Sequence, residues 1–269
     1  MRYSRIIVLA MASALAVSSV YAKKDNEGNA DGTSGSASSL SVWAKEQASA
    51  LPSEIDGVVM MRPVANEDGR VEVSEFIDVP GISQTQVFIA AVVYAAENLD
   101  RETDAIETID FDSKRFVVSR HVKSGEGKDA ATYRYTTAFQ AADDILSFVS
   151  YGIEIDYKDK GILPRHMAIE KMKPATNKRH AELIEDFSFN NSKYLKDMAA
   201  YVSDNPSLKV THWKDIKDGT VVKGMNETEV KLVGGAPVSV RKMGKRSKWM
   251  FSNDFVVIFT GGVVTTVIQ

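Results

Sequence analysis

Cysteine is absent from this chain of 269 residues. Its absence excludes disulfide bonds, thiolate metal sites, cysteine nucleophiles and lipid attachment through cysteine. A strong excess of either charge is also lacking, because 33 Lys and Arg face 36 Asp and Glu, for a net charge of −3. With so small a net charge, no bulk attraction to nucleic acid or to a membrane surface is expected, and any such binding must be local.

The usual sequence signatures of catalysis are missing as well. There is no Gly-x-Ser-x-Gly elbow, and serine, histidine and aspartate show no spacing typical of a triad. His166 and Glu170 come nearest to a metal pair, but no third ligand is close in sequence. The acidic run from Glu97 to Asp112 lacks the glycine and tight spacing of a calcium loop. We therefore predict that the protein is not an enzyme and that it holds no metal or cofactor.

The first 22 residues have the pattern of an export signal. Arg2 and Arg5 precede an apolar run over residues 6–17, and small residues follow up to Ala22. This run is too short to cross the hydrocarbon core of a membrane comfortably. We expect cleavage after Ala22 and a mature protein that is periplasmic or secreted, because no later apolar run is long enough to span a membrane.

The mature chain is predicted to begin with a disordered tether over residues 23–40, which contain almost no apolar side chain. An α+β domain over residues 41–205 follows, and it opens with a short helix over 41–51. Ser83 and Gln86 form a capping box for a helix that runs to about Asn98. The remaining predicted elements are a hairpin of 58–61 with 71–77, strands over 115–122, 131–139, 145–157 and 162–172, and a helical region over 177–202 that breaks at Asn190-Asn191.

This order of elements predicts an antiparallel sheet packed by helices on one face. Two segments are typical of one particular arrangement: Phe76-Ile77-Asp78-Val79-Pro80-Gly81, which leads into the capped helix, and Tyr151-Gly152-Ile153-Glu154-Ile155, which precedes an Asp159-Lys160-Gly161 turn. Residues 58–205 thereby resemble a domain of unknown function with a TATA-binding-protein-like fold, common in exported proteins of Gram-negative bacteria. The resemblance implies a fold and carries no DNA-binding function.

A second, smaller domain is predicted over residues 207–269, as a helix followed by a three-stranded meander. Asn226 and Glu229 form a capping box, Gly234-Gly235-Ala236-Pro237 ends the helix, and Gly261-Gly262 supplies a hairpin turn. Residues 216–269 resemble the small outer-membrane assembly lipoprotein family (BamE/SmpA-like). Two departures are that Gly234 replaces a large apolar residue, which is expected to weaken one core contact, and that the lipid-bearing cysteine is missing.

A basic cluster stands out within this second domain. Its members are Arg241, Lys242, Lys245, Arg246 and Lys248, and no Asp or Glu occurs between Glu229 and Asp254. Such a cluster can bind phospholipid headgroups, lipopolysaccharide phosphates or an acidic protein face, or it can be an ordinary solvated hairpin tip. The predicted compartment disfavours nucleic acid.

Our interpretation is an exported, non-catalytic binding or scaffold protein that supports outer-membrane or envelope assembly, with an envelope protein or an anionic lipid surface as its partner. Two alternatives stay open. An envelope hydrolase requires a pocket in the residue 58–205 domain that gathers distant polar side chains. A secreted inhibitor requires exposure of Trp249 and Phe251, whereas their burial indicates a role in the core.

Overall fold

The computed structural model of the chain describes residues 53–268, except residues 67, 101, 128, 159–163 and 252–254. The predicted signal peptide, tether and first helix lie outside the described residues, as do the turns expected at 159–161 and 252–254. In the described part of the chain, no helix combines the length and the apolar character that crossing a membrane requires.

A large antiparallel sheet forms the first unit. Its strands are β3 (Val64–Ala65), β4 (Val71–Asp78), β5 (Ala105–Asp110), β6 (Arg115–Ser124), β7 (Ala131–Ala142), β8 (Ile145–Lys158) and β9 (Pro164–Ala168). They follow the order β3-β4-β8-β7-β6-β5, and β9 also pairs with β8. Two short strands that precede them, β1 (Glu54–Ile55) and β2 (Val58–Val59), form a ribbon of their own.

The longest strand, β8, changes its edge partner along its length. Its first six residues pair with β4, and residues 154–158 pair with β9. Between these halves the pairing with β7 shifts by one residue near Gly152, whose φ of +62° is readily adopted only by glycine. Because of this bulge, β8 pairs with both β4 and β9 along the same edge.

Two helices cover one face of this sheet. Helix α1 (Gln84–Asn98) begins at the Ser83–Gln86 capping box that the sequence predicts, and helix α2 (Lys178–Asp204) begins at Asn177. The ring of Phe88 on α1 lies 6.2 Å from that of Phe116 on β6, and Phe187 on α2 lies 5.2 Å from Tyr135 on β7. The strand register places Phe116 and Tyr135 on the same face, so the predicted α+β class with helices on one face is confirmed.

The C-terminal unit consists of two short helices and a second sheet. Helices α3 (Trp213–Lys217) and α4 (Glu227–Gly234) precede β10 (Ser239–Met243), β11 (Arg246–Met250), β12 (Val256–Thr260) and β13 (Val263–Ile268). The prediction of three strands is wrong, because these four strands form a meander in chain order. The extra strand is β10, whose five side chains are all exposed and therefore give no core-facing alternation. The Gly261-Gly262 turn is as predicted, with positive φ at both residues.

The two units share one continuous apolar cluster. The Trp213 ring of α3 lies 4.6 Å from Phe111 and 5.7 Å from Phe88, both in the first unit. Helix α4 packs against α1, and Lys231 Nζ donates to Glu97 Oε1 at 2.7 Å across that contact. The boundary expected near residue 206 falls between α2 and α3; separate folding of the two units stays a prediction.

Three other expectations about the first unit are wrong. Helix α2 does not break at Asn190-Asn191, because Asn190 Nδ2 donates back to the Asp186 carbonyl and Asn191 is buried within reach of Ser150. The hairpin partner of β4 is β3, not residues 58–61. The acidic connection after α1 contains a strand, β5, whose pairing with β6 the sequence does not signal.

Candidate binding surface

The five predicted basic residues lie on one hairpin at the edge of the C-terminal sheet. Arg241 and Lys242 are on β10, Arg246 and Lys248 are on β11, and Lys245 is in the turn between the strands. Gly244 begins this turn with φ of +62°, which suits glycine. We call residues 239–250 the basic hairpin; it is well formed, with five residue pairs in register.

Strand register divides the five bases between two faces. Paired residues of antiparallel strands point to the same side, so Arg241 shares a face with its partner Lys248. Arg246 lies two residues from Lys248 on the same strand and therefore points the same way. Val240 pairs with buried Trp249 and belongs to the inner side. The outer face of the sheet thus carries three bases in neighbouring rows.

Apolar side chains interleave with these bases. Val238 is 67% exposed, Val240 and Met243 are each 46% exposed, and Met250 is 40% exposed. Met243 is paired with Arg246 and therefore shares the outer face with it. A solvated hairpin tip needs no such apolar exposure, and exposed apolar side chains beside charges are typical of interaction surfaces.

The charges of the basic hairpin are uncompensated within the described residues. None of its five bases forms an ion pair with a carboxylate there; the salt bridges of that part of the chain use other cations. The sequence also provides no acidic residue close to the hairpin along the chain, since none occurs between Glu229 and Asp254. The positive field of the hairpin is therefore available to an external anion.

The inner side of the hairpin is anchored in the core. Trp249 is 5% exposed and Phe251 is 3% exposed, and the Trp249 ring lies 4.7 Å from that of Phe259. A Cβ on Gly234 would come within 3.0 Å of the Phe251 ring, so the glycine leaves room for that ring. The expectation that Gly234 weakens a core contact is wrong, because the Phe251 ring packs against that position. Burial of both aromatic side chains also argues against the inhibitor alternative.

Glu229 fixes the segment that leads into this unit. It is 1% exposed, and its carboxylate accepts hydrogen bonds from the backbone N–H groups of Thr211, His212 and Asn226. The Thr211 hydroxyl and His212 Nδ1 complete the shell, at 2.9 and 3.0 Å. Burial raises the pKa of Glu229, but these hydrogen bonds favour the ionised form and outweigh burial, so the net pKa lies below its ordinary value.

The histidine and the acidic run singled out from the sequence form no metal site. His166 Nδ1 lies 2.8 Å from Asp156 Oδ1, while Glu170 accepts from the Val71 backbone instead. Arg134 lies among the same groups, 2.8 Å from Asp156 Oδ2, so a cation already occupies the position. Members of the acidic run also point to separate partners. No group of three potential metal ligands occurs in the described ranges.

A polar groove does occur in the first unit, between α1, α2 and β6. It has a volume of about 220 Å³ and is lined by Tyr94, Asn98, Arg120, Val122, Asn190, Lys193, Tyr194 and Asp197. Sequence reasoning missed its centre, where Arg120 stacks 3.7 Å over the Tyr194 ring and lies 4.0 Å from buried Asp104. The groove gathers polar side chains from three elements, which is what the hydrolase alternative requires, and that alternative stays open.

Solved structures resemble part of the chain, among them the following two. A TBP-like protein from Parabacteroides distasonis is 12% identical, with a TM-score of 0.46, over 52% of this chain and 97% of that one. A DUF4468 family protein from Bacteroides ovatus is 13% identical, with a TM-score of 0.41, over 54% of this chain and 92% of that one. No protein-family model and no curated protein matches the chain.

The first is described as TBP-like and the second as a member of the DUF4468 family. Likenesses this distant say nothing about function. The BamE/SmpA-like resemblance of the C-terminal unit stays a prediction.

Proposed function

We propose that the protein is an exported, non-catalytic binding protein that acts in the bacterial envelope, and that its basic hairpin engages an acidic partner there. The observation that supports this function most directly is the outer face of the C-terminal sheet. Arg241, Arg246 and Lys248 share that face without a carboxylate partner in the described residues, and exposed Met243 lies among them. An acidic partner would gain both charge attraction and apolar contact.

The anchoring of the hairpin supports the same function. Trp249 is buried beneath β11, and Lys231, which lies 5.9 Å from the Trp249 ring centre, is paired with Glu97 on α1. Glu97 also lies close to Tyr201 on α2; burial, followed by this neighbouring carboxylate, raises the pKa of Tyr201 to about 12. These contacts hold the bases on a sheet that is tied to two long helices. Because the backbone of the hairpin is held in this way, little backbone freedom is lost when a partner binds.

The experiment is co-sedimentation of the protein with purified envelopes across a range of salt concentrations. The variant R241E/K245E/R246E reverses three bases of the hairpin and should lose most of its retention at low salt. The loss should shrink as salt rises, because exposed charges are screened within about 8 Å at physiological ionic strength.

The matched control reverses three exposed lysines elsewhere, K123E/K178E/K214E, which lie on β6, α2 and α3. The control has the same net charge as the test variant and should be retained like the parent protein. If the hairpin variant is also retained like the parent at low salt, the basic hairpin is a solvated tip and the proposed function is wrong.

A further inference from the structure

Strand β10 is an exposed edge of the C-terminal sheet. Within the described residues it pairs with β11 on one side only, because it stands at the end of the strand order β10-β11-β12-β13. All five of its side chains are exposed. An edge strand presents backbone N–H and C=O groups that can pair with another strand, and proteins usually protect such edges. In β10 the sequence contains no proline, so the edge retains its donors.

The charges on the edge determine which strand it can accept. Arg241 and Lys242 lie on β10 itself, with Lys245 in the adjoining turn. Pairing of β10 with β10 of a second copy would bring these bases together, and like charges on neighbouring strands are destabilising. An acidic strand would instead place carboxylates beside them. The edge is therefore closed to self-pairing and open to a strand of opposite charge.

We propose that β10 binds an extended acidic segment of a partner protein as an additional strand. This inference rests on the proposed function, whose acidic partner it specifies. Side chains on the outer face of the added strand would lie beside Arg241, one strand away from Lys248. Side chains on its inner face would lie beside Val240, which is 46% exposed, and beside Lys242. A segment that alternates acidic and apolar residues would place a carboxylate beside Arg241 and an apolar side chain beside Val240.

If the partner binds as an added strand, its affinity depends on its own backbone N–H and C=O groups. Charge attraction alone predicts no such dependence. In this binding mode the main-chain hydrogen bonds supply affinity, and side chains at alternate positions supply specificity. A lipid surface or a folded acidic face would respond to the bases of the hairpin but would not bond to the backbone of β10. Removal of backbone donors from an acidic ligand therefore separates these possibilities.

The test measures binding of the full chain to three synthetic octapeptides. One alternates valine and glutamate, the second has the same sequence with every peptide nitrogen methylated, and the third alternates valine and lysine. We expect the first to bind and the methylated form to bind at least about tenfold more weakly, because several hydrogen bonds are lost. The lysine peptide should not bind. Hydrogen exchange at residues 239–243 should slow with the first peptide only.

The result that overturns strand addition is equal binding of the methylated and unmethylated acidic peptides. Strand addition is also overturned if the acidic peptide does not bind while anionic phospholipid vesicles retain the protein through Arg241 and Arg246. That result leaves the proposed function intact. If neither peptide, vesicle nor envelope binding responds to R241E/K245E/R246E, the proposed function itself fails.

Discussion

Glu229 and the basic hairpin both belong to the C-terminal unit, but they differ in how their charge is balanced. Glu229 is almost completely buried and accepts five hydrogen bonds, which tie the segment before α3 to the start of α4. The basic hairpin, which begins ten residues further on, carries four exposed bases and the half-buried Lys248, with no carboxylate partner in the described residues. A charge whose partners lie within the fold stabilises that fold, and a charge without partners is available for binding. The two sets should therefore respond oppositely to mutation.

The largest effect on stability is expected from Glu229→Ala. The change leaves five donors around the site without their acceptor, and hydrogen bonds to a buried charge contribute more than neutral ones. We expect the free energy of unfolding to fall by about 3 kcal/mol, as measured by urea denaturation. Glu227→Ala removes an exposed carboxylate from the same helix and should change stability by no more than about 0.5 kcal/mol. Equal effects of the two changes would show that the hydrogen-bond shell does not stabilise the fold.

A smaller loss is expected from Gly234→Leu, which introduces a large apolar residue at that position. The Phe251 ring already occupies that space, since even a Cβ would lie 3.0 Å from it. Overpacking should lower the free energy of unfolding by about 2 kcal/mol. Gly234→Ala, which adds only the Cβ, should cost less than the leucine change. A leucine variant at least as stable as the parent would mean that the ring moves aside easily.

Acidification should weaken the fold through the same carboxylate. The pKa of Glu229 is lowered in the folded protein, so its contribution to stability is present above the pKa of the unfolded chain and is lost as pH falls through the lowered value. Urea midpoints measured from about pH 6 to about pH 3 should therefore decline more steeply for the parent than for Glu229→Gln. Parallel pH profiles would contradict the assignment of this loss to Glu229.

Local signals in the sequence were sufficient to predict where two helices begin. The capping boxes at Ser83 and Asn226 involve residues three apart, so they could be recognised without knowledge of the fold. The continuity of α2 could not be recognised in this way, because Asn191 contacts Ser150, which is 41 residues away in sequence. Strand β5 was missed because only Ile106 and Ile109 face the core, and neither is fully buried.

The candidate site could be predicted in composition but not in geometry. Five bases without nearby acids are visible in the sequence, whereas their division between two faces depends on strand register. The signal that was available is the Gly244 turn, flanked by Val240 and Trp249 at positions that could pair. Burial of Trp249 on one side then sets the outward direction of Arg241 and Lys248. The exposure of Met243 and Val240 follows only from the position of β10 at the edge.

The smallest effect on stability should come from the change with the largest effect on binding. In R241E/K245E/R246E, three exposed side chains without ion-pair partners in the described residues are reversed, and surface changes of this kind usually alter stability by no more than about 0.5 kcal/mol each. Reversal should even relieve repulsion, because Arg241 and Lys248 are directly opposite each other on paired strands. We therefore expect the urea midpoint to stay close to that of the parent while retention on envelopes falls. A large drop in the midpoint would show that the bases stabilise the fold, and the contrast with Glu229 would then be lost.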